Sequence, residues 1–500
     1  MLFEEELRQI VSNTELIANP SSEELRELSM REAKKTAYGS MCYSTRVKGR
    51  SAKLTEVIEG DATKEQVETV RKLAEYLKGR KLIQLDRQMC ITKPFHCRAY
   101  VSADYAHIPY MWGTMLFEPP EIDPPDFVTV QIPEWPEIKV IVEPEGGTTF
   151  VLGSDYTGEM KKANLRMAMY RTKQSGGLGL HAGSKLIRAI GKDGRLKEKG
   201  VLLFGLSATG KTTLTCHHHW LDAPKREGVV IRQDDVVLMQ KDSSCLGTEK
   251  NFYIKTDALE PGDQSVLYEA SLSKNALFEN VKLLEDGKID FFDSSITTNG
   301  RAVVFRREMR HTDIDIDLKQ ADMVLFLTRR DTIVPPVAKL TREQGAAFFM
   351  LGESMGSAAS DVDPGKPRRV VGTNPFIIGS RDEEGNRFYD LLKQNPHLEC
   401  YLLNTGKIGV GGHGPGEKIT VHDSATIIKE IARGTAKWKK DLDWGYGILD
   451  SVPGIDSSKF HPEKHYTQED YDRLTGELKN ERTEWLAQFK GLHPQITASI

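Results

Sequence analysis

Apolar positions along the first 80 residues fall at helical spacing. Leu2, Ile10 and Leu16 share one amphipathic pattern, and Ser22 followed by Glu24 and Leu25 opens a second helix. Val67, Val70, Leu73 and Leu77 recur at intervals of three and four in KEQVETVRKLAEYLK, residues 64–78, which predicts a third. Gly49-Arg50-Ser51 falls in a loop between them. Residues 118–144 then hold seven of the chain's 22 prolines. Proline lacks a backbone donor, so Glu118 through Pro125 reads as an extended connector, after which 138–142 alternates like a strand. From about residue 177 short continuous apolar runs appear at 201–204, 229–231, 323–327 and 401–403, each bounded by glycine or polar residues. Such runs predict strands buried on both faces, with helices between some of them, as at 341–351. The fold class this pattern predicts is α/β with mixed sheets. The change of pattern divides the chain into an N-terminal domain, 1–176, and a C-terminal domain, 177–500, in keeping with domains of roughly 100–200 residues.

Composition narrows the function classes. The chain has 500 residues, 39% of them hydrophobic, so it can bury large cores and is no disordered tail. Lys and Arg number 68 against 72 Asp and Glu, a formal charge of −4, which lacks the basic excess of a nucleic-acid binder. Six scattered cysteines include no CxxC pair, so neither a disulfide framework nor a zinc ribbon is indicated. The N-terminus MLFEEELRQIV lacks the basic and apolar regions of a secretory signal, and no apolar run reaches the roughly 18 residues of a membrane span. A soluble cytoplasmic protein, with no nucleic-acid or membrane partner, is the expectation.

Gly205-Leu206-Ser207-Ala208-Thr209-Gly210-Lys211-Thr212 fits GxxxxGK[ST], follows the apolar run 201–204 and precedes Thr213-Leu214-Thr215. Strand, glycine-rich loop and helix start is the context a phosphate-binding P-loop requires. Backbone N–H groups across 205–210 wrap phosphate oxygens, Lys211 places a charge at the β- and γ-phosphates, and Thr212 offers a hydroxyl to Mg²⁺. The run at 229–231 leads into Asp234-Asp235, where an acid at a strand end completes the Mg²⁺ site of such a loop. Two further features stay open on spacing alone. Lys161 and Lys162 in YTGEMKK read as a solvated helix start, and His181 is a lone histidine. His217, His218 and His219 point in different directions on a helix, so they cannot converge on one ion and read as helix surface.

Taken in order, these motifs resemble the ATP-dependent phosphoenolpyruvate carboxykinase family. Phe204 through Thr215 looks like its nucleotide loop, with Ala208 where the family has glycine. Tyr156 through Lys162 looks like its YxGEMKK segment, and His181 lies where its metal-binding histidine falls. Asp234-Asp235, Tyr253-Ile-Lys255-Thr256, Asp286 through Phe291, Thr298-Asn-Gly-Arg301, Val334-Pro-Pro-Val-Ala-Lys-Leu-Thr341, Asn404-Thr-Gly406 and Lys418-Ile-Thr-Val-His-Asp-Ser424 follow the family order. Gly49-Arg50-Ser51 resembles its GRS segment. Departures from the family pattern are Val236 in place of an acid, Ala52 in place of proline, and an altered segment 371–376 near the place of the family's mobile lid.

The resemblance implies a two-domain carboxykinase fold with a P-loop-containing, mononucleotide-binding C-terminal domain. It implies a lyase that converts oxaloacetate and ATP to phosphoenolpyruvate, CO₂ and ADP, in gluconeogenesis or in the reverse carboxylation. Lys162, His181 and Asp235 would bind Mn²⁺, with Lys162 as the neutral amine, and the ion would polarise the enolate oxygen left by decarboxylation. Thr212, Asp234 and Asp235 would hold Mg²⁺. Lys211, Lys255 and Arg301 would surround the transferring phosphoryl group, Arg50 would grip the substrate carboxylate, and Tyr156 would face the CO₂ end. Thr213 completes the nucleotide loop, and Lys418, Ile419 and Ser424 would flank adenine. Two alternatives remain: a P-loop kinase of another small carboxylic acid, and an ATP-binding regulator without chemistry.

Overall fold

The computed structural model describes residues 2–121, 124–356 and 365–500. They form two compact units, one of residues 1–171 with 248–310, the other of residues 172–247 with 311–500. The sequence pattern placed a single cut after residue 176. The compact units show further cuts at 247 and 310, because 248–310 supplies strands to a sheet begun near the N-terminus.

That sheet has five strands in the order Phe252–Lys255, Arg301–Val304, Leu277–Glu279, Met41–Tyr43, Ala33–Lys35. Leu277–Glu279 pairs in parallel with Met41–Tyr43, a contact between segments more than 230 residues apart. A larger sheet of the same unit has seven strands in the order Glu15–Ala18, Lys81–Met89, Phe95–Ser102, Phe127–Ile132, Thr148–Leu152, Lys139–Glu143, Thr55–Val57. Helices Glu4–Asn13 and Lys64–Tyr76 lay Leu7, Ile10, Val70 and Leu73 on one face of it, against Leu82, Val130, Ile141 and Phe150. The expected helices at 22 and 64 form, each started by a capping box, from Ser21 with Glu24 and Thr63 with Gln66. The first helix ends at Asn13, and Leu16 joins the strand Glu15–Ala18 instead. Its apolar side chain serves either periodicity, and parallel pairing with Lys81–Met89 decides for the strand. The proline-rich connector has neither helix nor strand at 118–121 and 124–126, and 122–123 lie outside the described residues.

The second unit is organised by an eight-stranded mixed sheet, in the order Gly228–Gln233, Ala182–Ile190, Leu196–Gly205, Met323–Thr328, Glu399–Asn404, Val337–Leu340, Gly447–Ser451, Lys437–Lys440. Leu196–Gly205, Met323–Thr328 and Glu399–Asn404 run parallel at its centre. Alternate side chains explain their continuous apolar runs. Leu202, Phe204, Val324, Phe326 and Leu402 enter one core with helices Arg342–Leu351 and Arg381–Gln394. Val201, Leu203, Leu325, Tyr401 and Leu403 enter the core on the other face, under helix Val421–Arg433. Every position is therefore apolar. Among the described residues no helix is long and apolar enough to cross a membrane.

One polar cluster ties the C-terminal helix Gln468–Leu486 to this unit. Glu353, its side chain 2% exposed, takes a two-point contact from Arg482, Nη2 at 2.6 Å and Nε at 3.1 Å, and single contacts of 3.2 Å from Arg330 and Arg369. Glu481 meets Arg330 and Arg369 at 2.6 Å each. Burial alone would raise the Glu353 carboxyl, yet Arg482, Arg330 and Arg369 together hold it well below the usual carboxylate range. A depressed folded value means the stabilisation is present above the ordinary carboxyl pKa and is lost as pH falls through the folded one. Glu353→Gln removes the carboxylate that Arg482 pairs with and leaves Arg330 and Arg369 to Glu481 alone, and is expected to cost about 3–5 kcal/mol in chemical denaturation at pH 7. The difference from the parent should shrink in strongly acidic solution.

Candidate active site

In the second unit the strand Leu196–Gly205 leads through five loop residues into the short helix Lys211–Cys216. Gly205 is required by proximity, since a Cβ there would lie 2.3 Å from Thr209 Oγ1. Thr209 ties the loop to itself through its N–H (3.2 Å) and its hydroxyl (2.8 Å), both donating to the Leu206 carbonyl. Thr405, just past the central strand Glu399–Asn404, donates to the Thr209 carbonyl at 2.9 Å. Leu206 and Thr209 are buried, Ser207 and Ala208 exposed, and Gly210, Lys211, Thr212 and Thr213 half-buried. Gly210 starts the helix at φ +86°, a left-handed value that glycine adopts without strain. Ala208 also sits at φ +69°, where its Cβ crowds the backbone, so the substitution for glycine noted in the sequence falls where glycine fits best.

Strand Gly228–Gln233 carries Asp234 and Asp235 out at its end, and His181 precedes strand Ala182–Ile190. His181 Nδ1 lies 2.6 Å from the Thr373 carbonyl, which only accepts, so Nδ1 carries a proton. In that tautomer Nε2 presents its lone pair 3.1 Å from Asp235 Oδ1, with Lys211 Nζ at 3.3 Å from Nε2 and 4.0 Å from the carboxylate. The carboxylate facing this nitrogen calls for positive charge between them, which Lys211, a proton on Nε2 or a divalent ion supplies. A nitrogen and a carboxylate oxygen, with the histidine oriented by a carbonyl, form a donor set suited to a divalent ion. The segment 371–376 supplies this orientation. Val371, Thr373 and Phe376 are buried, and the Phe376 ring meets the imidazole edge-on at 5.8 Å. Thr373 acts through its backbone, which no residue pattern announces.

The first unit gathers other cations. Lys255 and Arg301 are direct partners across the antiparallel pair Phe252–Lys255 and Arg301–Val304, on the same sheet face. Like charges opposite one another repel, so this pairing favours an anion above them. Lys255 is half-buried and pairs with Asp257 at 3.2 Å. Arg301 donates to the Tyr156 hydroxyl at 3.1 Å and to Asn299 at 2.7 Å, and Asn299 donates to Tyr156 at 3.2 Å and to the Lys48 carbonyl at 2.8 Å. Asn299 thus joins Tyr156 and Arg301 to the loop that carries Arg50. That loop is also held by Asp155, whose carboxylate accepts from the N–H groups of Arg46 and Val47, and by Glu159, which accepts from Ser51 N–H.

Lys161 and Lys162 lie in the second turn of the helix Thr157–Gln174. Lys162 is half-buried, whereas Lys161 is 2% exposed and pairs with Glu249 at 2.9 Å. The solvated reading fails for Lys161 because its counter-charge arrives from residue 249. Below this lies Glu279, fully buried, accepting from Thr157 N–H at 2.9 Å and from the Tyr253 hydroxyl at 2.8 Å. Burial pushes its carboxyl up, against the opposing pull of His107 and these donors. Arg301 and Lys161 stand over the Tyr253 ring at 5.5 and 5.6 Å. Glu249 and Glu279 escape sequence reading because nothing in their own segments marks them, and Asn299, though inside the Thr298–Arg301 motif, is assigned no role there.

Of the residues expected to flank a base, Lys418 is exposed, Ile419 packs with Ile408 and Phe460, and Ser424 is buried in helix Val421–Arg433. The three histidines are not a helix surface. The helix stops at Cys216, and His217 and His219 are buried. His219 and Trp220 adopt φ +58° and +47°, which folds the chain back inward.

These features describe a two-unit α/β protein built on a strand, glycine loop and short helix, with clustered cations in each unit. The family model described as phosphoenolpyruvate carboxykinase matches residues 14–458, and the chain belongs to this family. It is 36% identical over 394 residues, 78% of either chain, to the phosphoenolpyruvate carboxykinase (ATP) of Aeropyrum pernix. The enzyme of that name from Sinorhizobium fredii is 25% identical over 96% of this chain and 93% of its own. The one from Azorhizobium caulinodans is 26% identical over 92% and 89%.

Ala208→Gly is expected to stabilise the nucleotide loop. Relief of a left-handed alanine, roughly 1–2 kcal/mol, exceeds the added chain entropy of glycine. The check is thermal unfolding without nucleotide, in which the variant should melt no lower than the parent.

Proposed function

We propose that this chain catalyses the ATP-dependent conversion of oxaloacetate to phosphoenolpyruvate, CO₂ and ADP, and its reverse. The observation that carries the reading is the meeting of Lys211, His181 and Asp235 beside the glycine loop. That cluster joins the glycine loop to a histidine and a carboxylate suited to a cation. Lys162, His181 and Asp235 would hold Mn²⁺, and Thr212 with Asp234 and Asp235 would hold Mg²⁺. When bound, these ions supply positive charge to the enolate oxygen and to the phosphate oxygens. The 205–210 backbone, with Lys211, Thr212 and Thr213, grips the triphosphate, and Lys418, Ile419 and Ser424 flank the base. The N-terminal part supplies the substrate side, 1–176, and 177–500 the nucleotide side. Six buried cysteines, scattered along the chain, suit a reducing cytoplasm.

In the reaction Arg50 pairs with a substrate carboxylate in a two-point fork, leaving the second carboxylate free to depart as CO₂. The electron pair of the broken C–C bond becomes the enolate double bond. The enolate oxygen then attacks the γ-phosphorus as ADP leaves. Lys211, Lys255 and Arg301 neutralise charge that spreads over the equatorial oxygens, the main requirement of phosphoryl transfer. Tyr156, positioned by Arg301 and Asn299, orients the CO₂ end. Val236, wholly buried where the family carries an acid, favours as second reading a kinase of another small acid. A coupled assay with Mn²⁺, ATP and oxaloacetate, run beside a panel of other acids, decides between them. Phosphoenolpyruvate formation supports the first reading, and ATP consumption only with another acid supports the second.

Lys162→Met and His181→Ala are each expected to lower Mn²⁺-dependent turnover more than about 100-fold while ATP affinity stays within about threefold. Calorimetric titration with ATP beside the rate assay measures both, and full activity of the two variants refutes the metal assignment. Arg301→Lys, which keeps the charge and loses the fork, should reduce kcat about 100-fold with little change in the KM for ATP. A change in KM alone would contradict a transition-state role.

A further inference from the structure

Behind the glycine loop, in the second unit, lies a buried lysine that the reaction does not use. Lys185, on strand Ala182–Ile190, is 0% exposed. Burial pulls its amine down to about 7, and in the charged form its three N–H donors meet three acceptors: the Leu214 carbonyl, the His217 carbonyl at 3.5 Å, and His219 Nε2. The two carbonyls close the C-terminal end of helix Lys211–Cys216, where a cation opposes the negative end of the helix dipole. His219 in turn places Nδ1 2.8 Å from the Ala425 carbonyl of helix Val421–Arg433. A carbonyl only accepts, so Nδ1 donates, and Nε2 is the acceptor that Lys185 requires. Burial, reinforced by the adjacent Lys185 charge, holds the His219 imidazole far below its usual range, in keeping with this neutral form. A hydrogen-bonded chain thus runs from Leu214 through Lys185 and His219 to Ala425. The left-handed φ values of His219 and Trp220 turn the imidazole inward to complete it.

A helix of six residues is too short to be stable by its own hydrogen bonds, so its placement depends on what it packs against. Its first two residues are Lys211 and Thr212. The helix at the far end of the chain carries Ser424 and follows Lys418 and Ile419. We propose that Lys185 and His219 are positioning residues for the nucleotide: they brace the helix after the glycine loop against helix Val421–Arg433, and so set the phosphate-gripping residues in register with the base-flanking segment. This rests on the nucleotide reading above, and it assigns a role to the histidine run that the reaction leaves unused.

The test uses the full chain with Lys185→Met, His219→Leu and His219→Gln. Glutamine can accept from Lys185 through its oxygen and donate to Ala425 through its amide. Lys185→Met and His219→Leu should raise the KM for ATP about tenfold, while kcat at saturating ATP and the KM for oxaloacetate stay within about twofold. His219→Gln should restore most of the ATP affinity. Without nucleotide, amide hydrogen exchange in a peptide covering 211–220 should quicken about tenfold in Lys185→Met, with little change in the first unit. Unchanged ATP affinity in folded Lys185→Met and His219→Leu, equal losses in His219→Gln and His219→Leu, or a fall in kcat with KM intact would each overturn the proposal. If the unaltered protein binds no ATP, the nucleotide reading fails, and unchanged exchange over 211–220 then separately removes the brace.

Discussion

The strand Leu196–Gly205 is packed on both faces, and the second unit takes its form from where that strand must end. A buried strand can satisfy its backbone only through its neighbours, so it stays regular until it leaves the sheet at the carboxyl edge. There the chain turns over Gly205 and Gly210 into a helix of one and a half turns. Its parallel neighbour Met323–Thr328 and the next parallel strand, Glu399–Asn404, end at the same edge and deliver Thr328, Asn404 and Thr405, the last bound to the Thr209 carbonyl. Ligand sites form at such edges because loops from several strands emerge together. Ala208 shows that the loop's shape is imposed by this setting. An alanine is held in a left-handed conformation because its neighbours leave the loop no other course.

Charge is organised locally, whatever the overall balance. A formal −4 across 500 residues argues against nucleic acid and says nothing about a focused cationic site. In the first unit Lys255 and Arg301 face each other on one sheet surface, while Lys161 is compensated in the interior by Glu249. Repulsion between the first pair is held in place by the sheet, by Asp257 and by the Asn299–Tyr156 contacts. Under the proposed function, donors fixed in advance would need no reorganisation when phosphoryl charge develops. In the second unit the same logic holds for Lys211 beside His181 and Asp235.

Much of the α/β pattern was readable because local rules and packing agreed. The capped helices at 22 and 64 and the four apolar strands after 177 obey their own periodicities. Of the seven-stranded sheet of the first unit only the strand at 138–142 was readable, since several of the others are short and alternate poorly. The union of 248–310 with the N-terminal residues was equally hidden, because it rests on the pairing of 277–279 with 41–43. Among chemical groups, the glycine loop and Asp234-Asp235 announce themselves by local spacing. Thr373 orients His181 with a carbonyl that any residue could supply, and Glu249 and Glu279 meet partners far away in sequence. His217 to His219 misled because adjacent positions suggest a helix face. The chain instead leaves the helix and turns two of the rings inward.

The sequence by itself determined the membership of the family, the glycine loop and the order of the charged residues, since these depend on residue type and short-range spacing. Only the tertiary structure decided which charges are buried, which tautomer His181 adopts, how Lys255 comes to face Arg301, and that Lys185 meets His219. Those are properties of desolvation and of contacts across tens to hundreds of positions. Free energies of that kind exist only once water has been excluded and distant segments have been brought within hydrogen-bond reach.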